Sequence, residues 1–381
     1  MMASNLKIDV QDKDLLVTLR EFFRLILEQE DISAIFVSQR LPMKNTIMPA
    51  LVTDSKTLDR TDPLAPAFPI NGAKLLSRLT RKSSGEKIAA VLRPCEIRAF
   101  TELLKLKQGK TDDLIIIGID CLGAFRNTDY FRFVEKNPER STELFIDSVL
   151  SGKGTTAGGI DLAPACKACE FPIAPNNADI SIGLIGIDVK NQVLIEARTS
   201  AGEEICKKLN LSETKKTAER KTAVDNLVAQ RIEYRDKMFA ETRDTVDNLE
   251  KLTAYLAGCI NCYNCRVACP VCYCKECVFV TDVFYHEPSQ YLHWAKRKGI
   301  LKMPSDTLFY HITRLAHSSM ACVGCGQCSN ACPNEISVME LFRTVAEKTQ
   351  SAFGYEAGRS LDEPPPLSVF EKDEFLEVAQ T

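Results

Sequence analysis

Apolar residues recur at helical spacing near the start of the chain. Leu15, Leu16, Leu19, Phe22, Phe23, Leu25 and Ile26 share one side of a 3.6-residue repeat, which predicts an amphipathic helix over Leu15–Glu28. Short apolar runs at Ala34–Ser38 and Thr46–Thr53 read as strands joined by polar connectors. The stretch Asp62–Pro69 is too rich in proline for a helix interior or a central strand and reads as a turn region. Beyond it the pattern alternates. A helix over Asn71–Arg81 carries Leu75, Leu76 and Leu79 on one face; a buried strand follows at Ile88–Leu92, a helix at Glu96–Leu106 and an all-apolar strand at Leu114–Ile119. After a Gly/Thr-rich loop at Gly152–Gly159 come strands at Ile180–Ile187 and Val193–Ala197 and a helix at Ser200–Leu209. Strands alternating with helices at this spacing predict an α/β domain with a mixed, partly parallel sheet over residues 1–210.

From Leu211 to Leu256 the pattern changes. Lys, Arg, Glu and Asp are interleaved with single apolar residues, which reads as one or two long helices linking two domains, their charges forming a solvated face. Residues 257–345 form a cysteine-rich module with an insertion at 278–320; Phe309–Met320 is a helix leading out of that insertion. The insertion holds Trp294 and all four histidines, His286, His293, His311 and His317, which read as surface or packing residues because none is paired at a metal-site spacing. Residues 346–381 form an extended, acidic and proline-rich tail, disordered or strapped on a partner.

Composition narrows the function classes. The chain has 381 residues, 45% hydrophobic and 26% charged, with a net charge of −3. That balance gives no electrostatic case for nucleic acid or for a polybasic membrane anchor. No apolar run approaches the ~18 residues of a membrane span, and Met1–Asn5 lacks the basic and apolar regions of a signal peptide. The expected location is the cytoplasm. In a reducing compartment 16 cysteines point to metal rather than disulfides.

The metal signal is strongest at Cys259-x2-Cys262-x2-Cys265-x3-Cys269-Pro270 and its repeat Cys322-x2-Cys325-x2-Cys328-x3-Cys332-Pro333. Each is the bacterial ferredoxin run. Three cysteines grip one cubane and the fourth, before proline, reaches the other. Cross-ligation therefore assigns Cys259, Cys262, Cys265 and Cys332 to one 4Fe–4S cluster and Cys322, Cys325, Cys328 and Cys269 to a second. Zinc also favours paired C-x2-C but does not require this doubled run. Exposed cubanes further suggest an anaerobic setting. Cys272, Cys274 and Cys277 follow the first run closely. They are ligands of a further metal site, alternate ligands for Cys269, or structural residues. Cys206, on an expected helix, is a packing residue.

The first domain carries four more candidates. Cys95 and Cys121 end expected strands, and Cys166-x2-Cys169 forms a pair, so the four make a split site at strand carboxyl ends. Small-hydrophobe packing for the first two and zinc for the pair are the alternatives. The run Arg93-Pro94-Cys95-Glu96-Ile97-Arg98-Ala99, then Ile119-Asp120-Cys121-Leu122-Gly123, then Cys166-x2-Cys169-Glu170-Phe171 with Ala178-Asp179-Ile180-Ser181-Ile182-Gly183 occur in that order. Together, over roughly Ala34 to Ala197, they resemble the beta-subunit family of coenzyme F-420-reducing hydrogenases and F-420-linked formate dehydrogenases.

The resemblance implies a third 4Fe–4S cluster on Cys95, Cys121, Cys166 and Cys169, beside an FAD that exchanges hydride with coenzyme F-420. It aligns Asn71-Gly72-Ala73-Lys74 with a flavin-side segment, making Asn71 and Lys74 cofactor contacts, and it turns Arg93 and Arg98 toward flavin or coenzyme, with a structural salt bridge as the other role for the two arginines. It also implies a place in a complex with a formate dehydrogenase or hydrogenase catalytic subunit, or with heterodisulfide reductase-type subunits. The chain itself has no nickel–iron or molybdopterin site, so catalytic residues for hydrogen or formate oxidation are not assigned. In one place the chain departs from the family. Many members carry a glycine pair before the first helix, where this chain reads Asp9-Val10-Gln11-Asp12-Lys13-Asp14, and no G-x-G-x-x-G run replaces it. A flavin-free iron–sulfur adaptor is the competing reading.

Overall fold

The structure, a computed structural model, describes residues 4–43, 45–151, 156–157, 159–215 and 218–368. Parts of the Gly152–Gly159 loop and of the 346–381 tail lie outside these residues. The first domain is built on an eight-stranded sheet. Its strands are β1 (Ser4–Asp9), β2 (Ile32–Arg40), β3 (Ile47–Val52), β4 (Lys87–Leu92) and β5 (Leu114–Ile119); after a small separate hairpin of β6 (Thr156–Ala157) and β7 (Ile160–Asp161) come β8 (Ile180–Gly183), β9 (Gln192–Ala197) and β10 (Ser212–Glu213). The order across the sheet is β10-β1-β9-β8-β5-β4-β2-β3. The centre, β2-β4-β5-β8, is parallel and both flanks are antiparallel.

This is the mixed α/β sheet that the alternating pattern predicts. The central strands are buried on both faces, which is why Leu114–Ile119 is apolar throughout. Alternate residues serve different cores. Ala89, Val91, Ile115 and Ile117 pack with the Leu15–Leu27 helix on one face. Ala90, Leu92, Leu114 and Ile116 pack on the other with Leu76, Ile97, Phe100 and, from the cysteine-rich region, Val271 and Val323. The cysteine-rich region thus sits on one layer of the domain. It adds a small core of its own around Tyr310, Phe279, Leu341 and Phe342.

Four differences from the sequence expectation have physical causes. The strand expected to reach Ile187 stops at Gly183, because the Leu184 and Ile185 amides turn to donate to the buried Asp120 carboxylate, at 2.8 and 3.0 Å. The half-buried strand β1 and the helices Asn127–Lys136, Ser141–Leu150 and Pro288–Lys298 were not anticipated; the last buries no residue and carries no apolar stripe. A helix, Val338–Ala352, runs across the boundary between 345 and 346, where the sequence division ends the cysteine-rich module and starts the tail. The long helix Ala218–Thr245 is not simply solvated: Arg220, Arg231, Met238, Phe239 and Thr242 are buried along it. Among the described residues no helix is long and apolar enough to cross a membrane.

Candidate metal centres

Parallel pairing of β4 with β5 places Leu92 opposite Gly118, so the two strands end side by side. Each chain then turns. After β4 the sequence Arg93-Pro94 starts the helix Pro94–Lys105, with proline in its first turn, where it has no bond to lose. Glu96 holds that turn: its carboxylate accepts from Arg93 N at 2.9 Å and from Gly72 N at 2.7 Å. After β5, Cys121 N donates to Pro172 O at 2.7 Å, bringing the strand end to the Cys166–Cys169 segment. Cys95, Cys121, Cys166 and Cys169 together line one hollow at this carboxyl edge, here called site A, with Arg93, Phe171 and Arg231.

The ferredoxin runs form two more hollows. Cys269, Cys322, Cys325 and Cys328 line site B. Cys259, Cys262, Cys265 and Cys332 line site C. In each, three cysteines come from one run and one from the other, the grouping that cross-ligation expects. The three hollows are of similar size, with empty volumes of about 340, 410 and 400 Å³ for sites C, A and B. They are also contiguous. Cys325 and Gly324 line both A and B. Arg314 lines B and donates from Nη1 to Cys265 Sγ of site C at 3.1 Å.

The surroundings suit a multi-atom cluster. Among the described residues no three Cys, His, Asp or Glu side chains converge as around a single ion; the sulfurs stand apart around a void instead. Burial, then the neighbouring Cys121, pushes the Cys95 thiol well above its ordinary value, and the same causes push Cys166 up to about 12. Four thiolates persist in such places only against a compensating metal charge. Buried polar atoms without a hydrogen-bond partner stand nearby: Asn71 Nδ2, Arg98 Nε, His311 Nδ1 and Arg314 Nε. The Asn71 side chain lies beside the Cys325 thiol.

The remaining sequence candidates are placed as follows. Asn71 is buried and accepts from Ala73 N through Oδ1 at 3.0 Å. Lys74 Nζ donates to Cys272 O at 2.9 Å and Val267 O at 3.3 Å, tying the sheet domain to the segment after the first run. Arg93 Nη2 donates to Ala65 O at 2.8 Å, and its guanidinium lies over Phe68. Arg98 is buried with its guanidinium 3.5 Å from the Phe171 ring centroid. Cys274 is exposed; Cys272 and Cys277 are half-buried and line none of the three hollows. Cys206 is buried in the sheet domain's core.

Four residues beside the hollows were missed. Arg231, on the long helix, reaches site A and donates to the carbonyls of Cys169 and Cys121, each at 3.4 Å. Tyr310, His311 and Arg314 come from the helix Thr307–Ser318. Tyr310 Oη lies 3.3 Å from Cys265 Sγ and His311 Nε2 lies 3.4 Å from Cys259 Sγ. Burial, followed by the Arg314 and Lys302 cations, lowers the His311 pKa to about 4, so its ring is neutral near pH 7. The signal available was the spacing of 310, 311, 314 and 318, polar positions on one helical face directly before a cysteine run.

Comparison with known proteins places this arrangement. Residues 85–222, which contain Cys95, Cys121, Cys166 and Cys169, match the family model for the C terminus of the coenzyme F-420 hydrogenase/dehydrogenase beta subunit. The F-420-dependent formate dehydrogenase subunit beta of Methanocaldococcus jannaschii is 26% identical over 369 residues, covering 91% of this chain and 93% of its own length. The F-420-dependent formate dehydrogenase 1 subunit beta of Methanococcus maripaludis is 25% identical over 373 residues, covering 91% of each. A chain of the F-420-reducing nickel–iron hydrogenase complex from Methanosarcina barkeri superposes with a TM-score of 0.45 at 18% identity, over 65% of this chain and 94% of that one. Over residues 85–222 the chain thus matches the coenzyme F-420 hydrogenase/dehydrogenase beta-subunit family, and the relatives to which it is similar over most of its length are oxidoreductase subunits.

Proposed function

We propose that the chain is the electron-transfer subunit of a larger redox complex and relays electrons through three 4Fe–4S clusters at sites A, B and C. The observation that carries this reading is the contiguous series of three four-cysteine hollows, two with the cross-run grouping of a two-cluster ferredoxin. Cys95, Cys121, Cys166 and Cys169 hold the first cluster, Cys269, Cys322, Cys325 and Cys328 the second, and Cys259, Cys262, Cys265 and Cys332 the third. A cubane takes and gives single electrons, and FAD takes a hydride and releases its electrons singly. The chain's own part is to bury the sulfurs, fix their order and surround them with donors. The family likeness supports FAD beside site A and coenzyme F-420 as its hydride partner. The natural partners are a formate dehydrogenase or hydrogenase catalytic subunit, or heterodisulfide reductase-type subunits.

A second reading is a flavin-free adaptor with the same three clusters. It is favoured by Lys74, whose ammonium is engaged by Cys272 O and Val267 O of the cysteine-rich region, and by Arg93, whose guanidinium is engaged by Ala65 O and lies over Phe68. Anaerobic purification followed by iron and flavin analysis separates the two. We expect about twelve irons per chain, four for each cubane; stoichiometric FAD supports the flavin reading and its absence at full iron content supports the adaptor. Iron content near four with zinc in the remaining sites would sink both. In Cys332→Ala the cubane held by Cys259, Cys262 and Cys265 is expected to be lost while the other two remain.

A further inference from the structure

The insertion between the two ferredoxin runs folds back so that its last helix, Thr307–Ser318, lies across site C. Three successive inward positions of that helix meet the sulfurs. Arg314 donates through Nη1 to Cys265 Sγ at 3.1 Å and through Nη2 to Cys265 O at 3.2 Å. Tyr310 Oη is 3.3 Å from the same sulfur, and His311 Nε2 is 3.4 Å from Cys259 Sγ. The guanidinium is held in place by Phe342, whose ring centroid is 4.6 Å away, and the whole side chain is buried. A fixed cation bonded to a ligand sulfur stabilises whichever oxidation state carries more negative charge, which is the reduced one. Arg314 also borders site B, but none of its hydrogen bonds goes to a cysteine there. Its effect therefore falls unequally on two neighbouring sites. Site C also faces outward, since Cys262 and Ile260 are exposed.

We infer that Arg314, assisted by Tyr310, is a positioning residue that holds site C at a higher reduction potential than site B, so that electrons collect at the outward end of the chain. This rests on the three-cluster reading given above. With a cubane held by the cysteines of each site, the step would be a one-electron exchange in which site B would lose one electron and site C would gain it, with no bond made or broken and no proton required. Arginine is suited to this role because it stays charged when buried and presents a fork that can bind a sulfur and a carbonyl together.

The test is an EPR-monitored redox titration of the anaerobically reconstituted full chain, reduced stepwise with dithionite. The signal of site C is identified as the one lost in Cys332→Ala. In Arg314→Met the site C equilibrium is expected to shift at least tenfold toward the oxidised form, about 59 mV for one electron, with site A unmoved. Arg314→Lys should recover part of that shift because it restores the charge without the fork. Tyr310→Phe should give a smaller shift in the same direction, and it provides the test if Arg314→Met fails to assemble. Unshifted site C potentials in all assembled variants, or a shift that appears at site B instead, would overturn the inference alone. No cubane signal in the reconstituted wild-type chain would overturn the proposed function and this inference with it.

Discussion

One buried ion pair steadies the strand end that carries a site A cysteine. Asp120 follows β5 directly and precedes Cys121; its carboxylate takes the Leu184 and Ile185 amides and the Arg220 guanidinium, at 2.7 Å, with both charged side chains almost wholly buried. Removing one partner of such a pair leaves a buried charge uncompensated. We expect Arg220→Ala to destabilise the sheet domain by about 3–5 kcal/mol, read as a lowered denaturation midpoint, with disturbed spectra from site A. A midpoint equal to wild type would show that Asp120 is satisfied by the two amides alone. This residue marks where sequence reading stops. In Glu219-Arg220-Lys221 it is one charge among many, and nothing in a mixed-charge run distinguishes the arginine that will face a strand end from those that face water. Arg231 was hidden for the same reason, while the cysteines were legible because their spacing is itself the geometry of a ligand set.

At the scale of elements, helices and strands with strong apolar periodicity fall where the pattern places them: Leu15–Leu27, Ala73–Leu79 and Leu114–Ile119. The exposed helix Pro288–Lys298 and the half-buried strand β1 gain most of their definition from neighbours, so they were unreadable. The short turn Cys325-Gly326-Gln327-Cys328 shows how closely two elements can meet. Gly326 has a left-handed φ of +78°, and a Cβ there would lie 2.4 Å from the Cβ of Ala165, in the segment that carries Cys166. Only glycine allows both the backbone conformation and the contact. Next to it Gln327 Nε2 and Asn330 Nδ2 donate to Phe68 O, at 2.8 and 3.1 Å. Gly326→Ala should push the second run off the sheet domain. We expect loss of magnetic coupling between sites A and B and reduced iron retention, with the site C spectrum preserved; wild-type coupling would mean that the helix segment at 164–168 yields instead.

Over the whole molecule, the cysteine-rich region and the sheet domain are stitched together rather than strung along a linker. Val271, Val323 and Tyr355 enter the core beneath the helix Pro94–Lys105, and Tyr355 Oη and Gly358 N both reach the buried Glu102, each at 2.7 Å. The two parts nonetheless have different sources of stability. The sheet domain rests on a continuous apolar core, whereas residues 257–335 contain two helices and several short helical turns around the two cysteine-lined voids of sites B and C. Where ligand binding supplies much of the folding free energy, removing the metal unfolds the part that it organises. Chelation of the anaerobic protein is therefore expected to abolish amide-exchange protection in residues 257–335 while β4 and β5 keep theirs. Equal protection in the loaded and stripped chains would show that the voids are preformed.

The shared wall at Cys325 and Gly324 has a consequence for timing. A hydride donor delivers electrons in pairs, whereas a cubane accepts them one at a time. Were each of sites A, B and C to hold a cubane, both members of a pair would find a place within one chain and a third place would stay open. Donor and acceptor need not then be bound at the same moment. On the three-cluster reading the protein would work as a small capacitor as well as a wire, charged in one encounter and discharged, an electron at a time, in later ones.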